Sequence, residues 1–328
     1  MPPSQSVLQH YGQPPARAGA LGNVHRANNY VKACLIVDHL PPNGHVLDMP
    51  CGRGGDLKKY RKNGAAFYVG LDLVPASIAE ARKRHGTTHC MFGAVFYEQD
   101  FTKPLDLASE YDVVSCQFAL HYAWDTAARA DQVMANAATR LKGGGAFLIT
   151  VPDYDEILRR LAAMSAKQDE YNYAKRAPDG AYVYRIGSAD HWLEFASPLS
   201  FTAFFQSLRA APYGHRYVYW QAGAVDRVPE FLVPPKELAR LAAAHGLRVD
   251  SSANFLRLLE APRHLHLLSK MRCSLPLEAR EAAVVGLYRA VVLRPAKRKR
   301  EAEGGSGDGD GSSGATGPAS RPAPDPAA

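Results

Sequence analysis

The sequence is poor in the residues that staple or anchor a fold from outside. Its five cysteines, Cys34, Cys51, Cys90, Cys116 and Cys273, stand far apart without a Cys-x-x-Cys pair, which argues against a disulfide framework and offers no zinc-ligand spacing. No apolar run reaches bilayer-crossing length, and the nearest, Ala282 to Leu293, is interrupted by Arg289. The segment 1–22 holds Pro, Gly and Gln instead of the basic-then-apolar order of a secretory signal, and is expected to be a flexible arm. Acidic residues are in the minority: 39 Lys and Arg against 32 Asp and Glu leave a formal net charge of +7. That excess favours a polyanionic partner, nucleic acid above all.

What is present begins with a core. A chain of 328 residues at 46% hydrophobic can bury one large domain or two small ones. The stretch Val46-Leu47-Asp48-Met49-Pro50-Cys51-Gly52-Arg53-Gly54-Gly55-Asp56 reads as a buried strand, a glycine-rich turn and the start of a helix near Asp56. Such a turn lets bare backbone approach a ligand. A second strand, Phe67 to Asp72, ends in a carboxylate twenty positions beyond Gly52, where a doubly wound fold places its ribose-hydroxyl acceptor. Asp48, just before the glycines, would repel a pyrophosphate and so disfavours a dinucleotide. S-adenosylmethionine carries an ammonium and a sulfonium and no phosphate, and suits a nearby carboxylate.

Strands and helices alternate through the first half. Asn23 to Leu40 reads as a helix ended by Pro41, Pro42 and Gly44, with Asn28 and Lys32 on one face. Helices are expected at Asp56 to Lys62, Pro75 to Arg84 and Asp125 to Leu141, the last closed by Gly143-Gly144-Gly145. Strands are expected at Val95 to Tyr97, Asp112 to Ser115 and Ala146 to Val151. This alternation predicts a mostly parallel sheet covered on both faces, with ligands beyond the carboxyl ends of its strands, where Asp48, Asp72, Asp100 and Gln117 fall. From Ala166 to Pro235 aromatic residues are dense and the strands look antiparallel, notably Tyr182 to Ile186 and Tyr217 to Trp220, as in an insertion that shapes a substrate site. A helix from Pro235 to His245 follows, and Glu278 to Leu293 reads as a helix leading into a sheet-edge strand from Tyr288. From residue 296 onward the composition cannot bury a core and predicts a disordered tail. Its run Lys297 to Arg300 could serve nuclear import or RNA contact.

Four blocks carry a family resemblance: Asn28-Asn29-Tyr30-Val31-Lys32, Pro50 to Leu57, Cys116-Gln117-Phe118-Ala119-Leu120-His121-Tyr122, and Val228-Pro229-Glu230-Phe231-Leu232. In that order they resemble the eukaryotic mRNA cap guanine-N7 methyltransferases over Asn23 to Leu293. The resemblance implies a class I (Rossmann-like) α/β methyltransferase domain at 23–295, with the β-rich insertion at 166–235 over the substrate site. It implies S-adenosylmethionine contacts at Lys32, Gly52, Asp72, Asp100, Gln117 and Tyr122. Asn28, Asn29, Tyr30, His121, Pro152, Glu230 and Tyr288 match positions lining the cap pocket. Pro50 stands where the family usually has glycine, which fixes φ and removes one N–H donor from the loop.

The implied reaction is methyl transfer to N7 of the guanosine cap. N7 is unprotonated at neutral pH, so positioning suffices and no acid-base residue is assigned. Glu230 suits the task because guanine offers N1–H and the 2-amino group as a paired donor edge, which adenine lacks. Lys58, Lys59, Arg61 and Lys62 could receive the cap triphosphate. The implied partners are the capped mRNA 5′ end, other capping enzymes and the RNA polymerase II machinery, with a monomer working in the nucleus and no metal or membrane. A catalytically silent cap- or RNA-binding module, and a methyltransferase for a small molecule, are the alternatives.

Overall fold

The computed structural model describes residues 21–87 and 92–296. Helix α1 (Gly22–His39) leads into β1 (His45–Asp48), α2 (Leu57–Lys62), β2 (Phe67–Asp72), α3 (Pro75–Thr87), β3 (Gly93–Glu98) and β4 (Tyr111–Gln117). A 3-10 turn (Leu120–Ala123), α4 (Ala127–Arg140), β5 (Leu141–Pro152) and α5 (Tyr154–Ala166) follow. The insertion then supplies β6 (Tyr173–Arg176), β7 (Tyr182–Gly187), β8 (His191–Ser197), α6 (Phe201–Ala210), β9 (Arg216–Gln221) and β10 (Val225–Phe231). The chain returns through α7 (Pro235–Ala244), β11 (Leu247–Asn254), short helices α8 (Phe255–Glu260), α9 (Leu265–Met271) and α10 (Ala279–Val285), and β12 (Tyr288–Pro295).

Two sheets result. The larger has seven strands in the order β11-β12-β5-β4-β1-β2-β3, with β3, β2, β1, β4 and β5 parallel and β12 antiparallel to both its neighbours. This is the mostly parallel doubly wound sheet expected, and it turns from one half to the other between β1 and β4. Side chains alternate across it. Val46, Tyr68, Val113 and Leu148 join a cluster with Val31 and Leu35 of α1, whereas Leu47, Val69, Val114 and Phe147 join Val133 and Met134 of α4 and Leu238 of α7. Burial on both faces explains why these strands are short continuous apolar runs. The second sheet is antiparallel, in the order β10-β9-β8-β7-β6.

Local chemistry sets several boundaries. Thr126 caps α4 by accepting from Arg129 N, Asp153 caps α5 by accepting from Glu156 N, and Glu278 with Glu281 forms a capping box on α10. Two expectations are corrected. The glycines 143–145 do not close a helix but lie inside β5, which starts at Leu141 and pairs with β4. The strand from Tyr288 is not at the edge: β12 is held between β5 and β11, and the edge is β11, an unforeseen strand with mostly exposed side chains. Helices α5 and α6 were also unforeseen; α6 buries Phe204 and Leu208. The arm up to residue 20, Cys90, and the tail from Lys297, including its basic run, lie outside the described residues.

Candidate active site

The carboxyl ends of β1, β2 and β4 meet where the sheet reverses direction, which is where open α/β sheets bind ligands. Asp72, at the end of β2, reaches back to the glycine loop. Its Oδ2 accepts from Gly52 N at 2.9 Å and its Oδ1 accepts from Val74 N at 2.8 Å. Burial pushes its carboxyl up, and the two N–H groups pull against that shift. Gly52 and Gly54 take positive φ of 53° and 70°. At Gly54 a Cβ would sit 2.5 Å from Leu57 Cδ1 and 3.2 Å from the Ala81 backbone, so the loop packs on α3 only without a side chain. At Gly52 no described group other than its chain neighbours lies within 4 Å of that position, leaving room for a ligand against bare backbone. The Met49-Pro50 bond that opens the loop is cis.

Asp48 is buried at the end of β1. Tyr68 Oη donates to its Oδ2 at 2.8 Å, while Oδ1 meets no hydrogen-bond donor in hydrogen-bond geometry among the described residues. Burial, followed by the charge of Asp56, pushes its carboxyl up to about 7. Asp56, at the head of α2, is the hub of the loop. Lys32 donates to its Oδ2 at 2.9 Å and Lys59 to its Oδ1 at 2.5 Å. Burial alone would raise Asp56, but Lys32 and Lys59 hold it well below the usual carboxylate range. Lys59 also donates to Asn29 Oδ1 at 2.8 Å, and burial lowers its ammonium. Asn29 in turn donates to His25 O at 2.9 Å. Lys59 is thus an internal strut, not an open phosphate ligand, whereas Lys58 and Lys62 of the same helix are exposed.

Of the other residues expected at the cofactor, Gln117 leaves both side-chain amide atoms buried at the end of β4 without a hydrogen-bond partner among the described residues. Asp100 caps its own turn: Oδ1 accepts from Thr102 N at 2.9 Å and from Thr102 Oγ1 at 2.7 Å. Tyr122 stacks its ring at a tilt on His121, with centroids 4.3 Å apart.

Of the residues expected at the substrate, Glu230 comes from the insertion sheet. It lies opposite Tyr217 in the β10–β9 register, and Tyr217 Oη donates to Glu230 Oε2 at 2.7 Å. Burial, and then the Glu230 charge, raise the Tyr217 phenol far above its ordinary value, so it stays a donor. His121 Nε2 stands 3.5 Å from Glu230 Oε1 without hydrogen-bond geometry, and both its ring nitrogens are buried without a hydrogen-bond partner among the described residues. Tyr288 and Pro152 face each other across β12 and β5. The Phe118 ring joins the two sides: Lys32 Nζ lies 5.7 Å from its centroid and Tyr288 meets it edge-on at 4.9 Å. Phe118 has φ of 56°, and its N–H is fixed by Thr150 O at 3.0 Å and Oγ1 at 2.8 Å.

Tyr30 does not join this group. Its ring is buried on the inner side of α1 and its hydroxyl donates to the Arg263 carbonyl. Asn28 leaves Oδ1 buried without a hydrogen-bond partner among the described residues. A cavity of about 300 Å³ lies between α7 and strands β11 and β12, and of the expected residues only Pro152 lines it. Its lining is otherwise side chains such as Val233, Leu238 and Val291, so the polar convergence is elsewhere. Sequence reasoning missed Asp56, Phe118 and Tyr217 as site residues. Asp56 and Phe118 nevertheless lie inside two of the quoted blocks, and Tyr217 alternates with Tyr219 on one face of β9.

Comparison with known proteins fits this arrangement. A sequence model of the mRNA (guanine-N(7))-methyltransferase domain matches residues 4–308. The mRNA cap guanine-N(7) methyltransferase 1 of Arabidopsis thaliana is 30% identical over 292 residues, 82% of this chain and 73% of that protein. Its Oryza sativa namesake is 31% identical over the same shares. The Saccharomyces cerevisiae mRNA cap guanine-N(7) methyltransferase is 33% identical over 258 residues, and the match spans 75% of this chain but only 56% of the yeast protein. A solved S-adenosylmethionine-dependent methyltransferase structure from Listeria monocytogenes, described as putative in that activity, aligns with a TM-score of 0.49 and 16% identity over 83% of this chain and 99% of its own. The domain match covers nearly all of the sequence, and the chain belongs to the mRNA (guanine-N(7))-methyltransferase family.

Proposed function

We propose that the chain transfers a methyl group from S-adenosylmethionine to N7 of the guanosine cap of mRNA, giving the 7-methylguanosine cap. The observation that carries this reading is the buried Glu230 carboxylate, braced by Tyr217 and faced by His121, across from the glycine loop in a member of this family. A buried carboxylate has about four lone-pair positions, and Tyr217 takes one. The others suit the N1–H and 2-amino donors of guanine.

The loop side fits S-adenosylmethionine by the chemistry of its donors and acceptors. Gln117 offers an unpartnered buried amide, Asp48 an unpartnered oxygen, and Gly52 open backbone. Asp72 keeps lone pairs for ribose hydroxyls after serving Gly52 and Val74. Lys32, shared with Asp56, is the cation for an amino-acid carboxylate, with Asp100 and Tyr122 completing the set. When bound, S-adenosylmethionine supplies a methyl group activated by its sulfonium.

The protein's part is orientation. Glu230 and the neighbouring His121, Tyr122 and Tyr288 hold the guanine plane, and its electron density is enriched by the adjacent carboxylate as positive charge develops. Asn28 and Asn29 of α1 and Pro152, opposite Tyr288, are assigned to the same pocket, and Lys58, Arg61 and Lys62 are the triphosphate cations. In this reading 23–295 is the methyltransferase domain with 166–235 as its substrate side. The protein acts as a monomer on nascent capped transcripts in the nucleus, beside other capping enzymes and RNA polymerase II. Incubation with labelled S-adenosylmethionine and unmethylated capped RNA, followed by mapping of the methylated atom, tests the reading. Label at a position other than guanine N7, or none with cofactor bound, would overturn it.

A further inference from the structure

The five-stranded sheet has two faces, and the cleft uses one. The inward face carries Tyr184, Phe195, Tyr217 and Tyr219, which pack into the core with Phe204 and Leu208 of α6. An antiparallel sheet with one solvated face ordinarily turns small or polar residues outward. Here the outward face is aromatic and cationic. Tyr173, Arg185, Glu194 and Val218 form one cross-strand row through β6, β7, β8 and β9, and Trp192 pairs with Trp220 in the next.

These side chains stack in sequence across four strands. Lys175 Nζ lies 4.0 Å from the Tyr173 ring centroid, and Arg185 lies 5.2 Å from Tyr173 and 4.4 Å from Trp192. Trp192 and Trp220 then stack with centroids 5.9 Å apart and planes 14° from parallel. The three rings are half-buried, and Lys175 and Arg216 are exposed. Two of the chain's three tryptophans stand on this face, while Trp124 is wholly buried. The one acid in the row, Glu194, is occupied by Arg185 at 2.8 Å, so the face is left with uncompensated positive charge.

We infer that this outward face is a single-stranded RNA platform that holds the nucleotides following the cap. Aromatic rings stack on any base, and interleaved cations meet the backbone phosphates, which gives binding without sequence preference. The site lies on the same sheet as the cap carboxylate: neighbouring strands are about 4.8 Å apart, so Trp220 stands one strand and Trp192 two strands from the strand bearing Glu230. The inference rests on the capped-RNA reading above and adds where the body of that RNA runs.

The test compares the full chain with Trp220→Leu, Trp192→Leu and Lys175→Glu on two acceptors, a cap dinucleotide and a capped single-stranded RNA long enough to cover the platform. Leucine keeps apolar volume but not a stacking ring, and Lys175 is exposed, so at least one variant keeps the fold. Loss of one stacked base predicts a rise in KM for the long RNA of roughly fivefold or more per tryptophan, with KM and kcat for the dinucleotide unchanged. Uncapped single-stranded RNA should quench the wild-type tryptophan fluorescence, less so in the leucine variants and less at high salt. Equal KM values for the long RNA in all four proteins, or absence of quenching, overturns the platform and leaves the face to a protein partner. A wild-type protein inactive on the dinucleotide contradicts the functional reading instead, and quenching by uncapped RNA still decides the platform.

Discussion

Tyr217 and Glu230 are joined twice, as directly opposed residues of β9 and β10 and by a 2.7 Å bond from the phenol to the carboxylate. Backbone pairing therefore sets where the carboxylate sits, and the side-chain bond sets how it is turned. Tyr217→Phe should leave S-adenosylmethionine binding intact and lower kcat/KM for capped RNA about tenfold or more, as for loss of a hydrogen bond to a buried charge. Glu230→Gln should cost more, because an amide N–H would then face the guanine donors. Calorimetry for the cofactor and steady-state kinetics on a cap dinucleotide separate the two; equal loss of cofactor binding in both would count against the assignment.

Asp72 ties the glycine loop to β2 through Gly52 and Val74. Asp72→Ala frees both N–H groups and removes the proposed ribose acceptor, so S-adenosylmethionine affinity should fall at least about tenfold. Asp72→Asn retains one acceptor oxygen and should fall between. An alanine variant that titrates like the wild type in calorimetry would rule out this role.

Gly54 and Gly55 make a matched pair of substitutions. Gly54→Ala places a Cβ 2.5 Å from Leu57 Cδ1 at a φ of 70°, whereas Gly55 has no group within 4 Å of its Cβ position. The first should destabilise by about 1–3 kcal/mol and the second by a few tenths or not at all. Urea midpoints of the two variants provide the comparison.

Two carboxyls at the loop should give opposite pH signatures. Asp48 is held at about 7 in the folded state against an ordinary 3.8. Between those values the folded protein binds the extra proton, so this group lowers stability progressively as pH rises from 3.8 to about 7, and the loss then levels off. Asp48→Asn should therefore gain on the wild type across that window. Asp56 is depressed by Lys32 and Lys59, so its contribution is full above 3.8 and is lost as pH falls below that value. Asp56→Ala strands two cations, one of them buried, and should cost about 3–5 kcal/mol at neutral pH. Unfolding free energies measured against pH check both signs.

The parallel half of the fold was legible because both-face burial leaves apolar runs between glycine and proline signals, as at Val46 to Asp48 and Phe67 to Asp72. The four blocks likewise brought Glu230 and His121 to one cleft. What stayed hidden depended on contacts between distant residues. Asp56 looks like a helix-start residue until Lys32 arrives from α1, and Lys59 looks solvated until Asn29 covers it. Glycines 143–145 suggest a stop, but β5 has already begun at Leu141, and the glycines fill the irregularity between its Leu141–Tyr111 and Ala146–Val113 pairs. Tyr30 sits inside a matching block and yet turns to Arg263, because the block identifies the helix and packing chooses its face.

The strand positions of Tyr288 and Glu230 differ in a way that bears on how the pocket opens. Tyr288 begins β12, which is paired on both sides, while Glu230 lies on β10, the edge of the smaller sheet, paired on one side only. Local opening free energies follow such differences in backbone protection. Amide hydrogens of β12 should exchange with solvent far more slowly than those of β10, and on the proposed reading the carboxylate-bearing wall should be the one that yields to admit and release the cap. Ligand-free and ligand-bound exchange should differ chiefly at β10, leaving β12 as the fixed reference against which the guanine is seated.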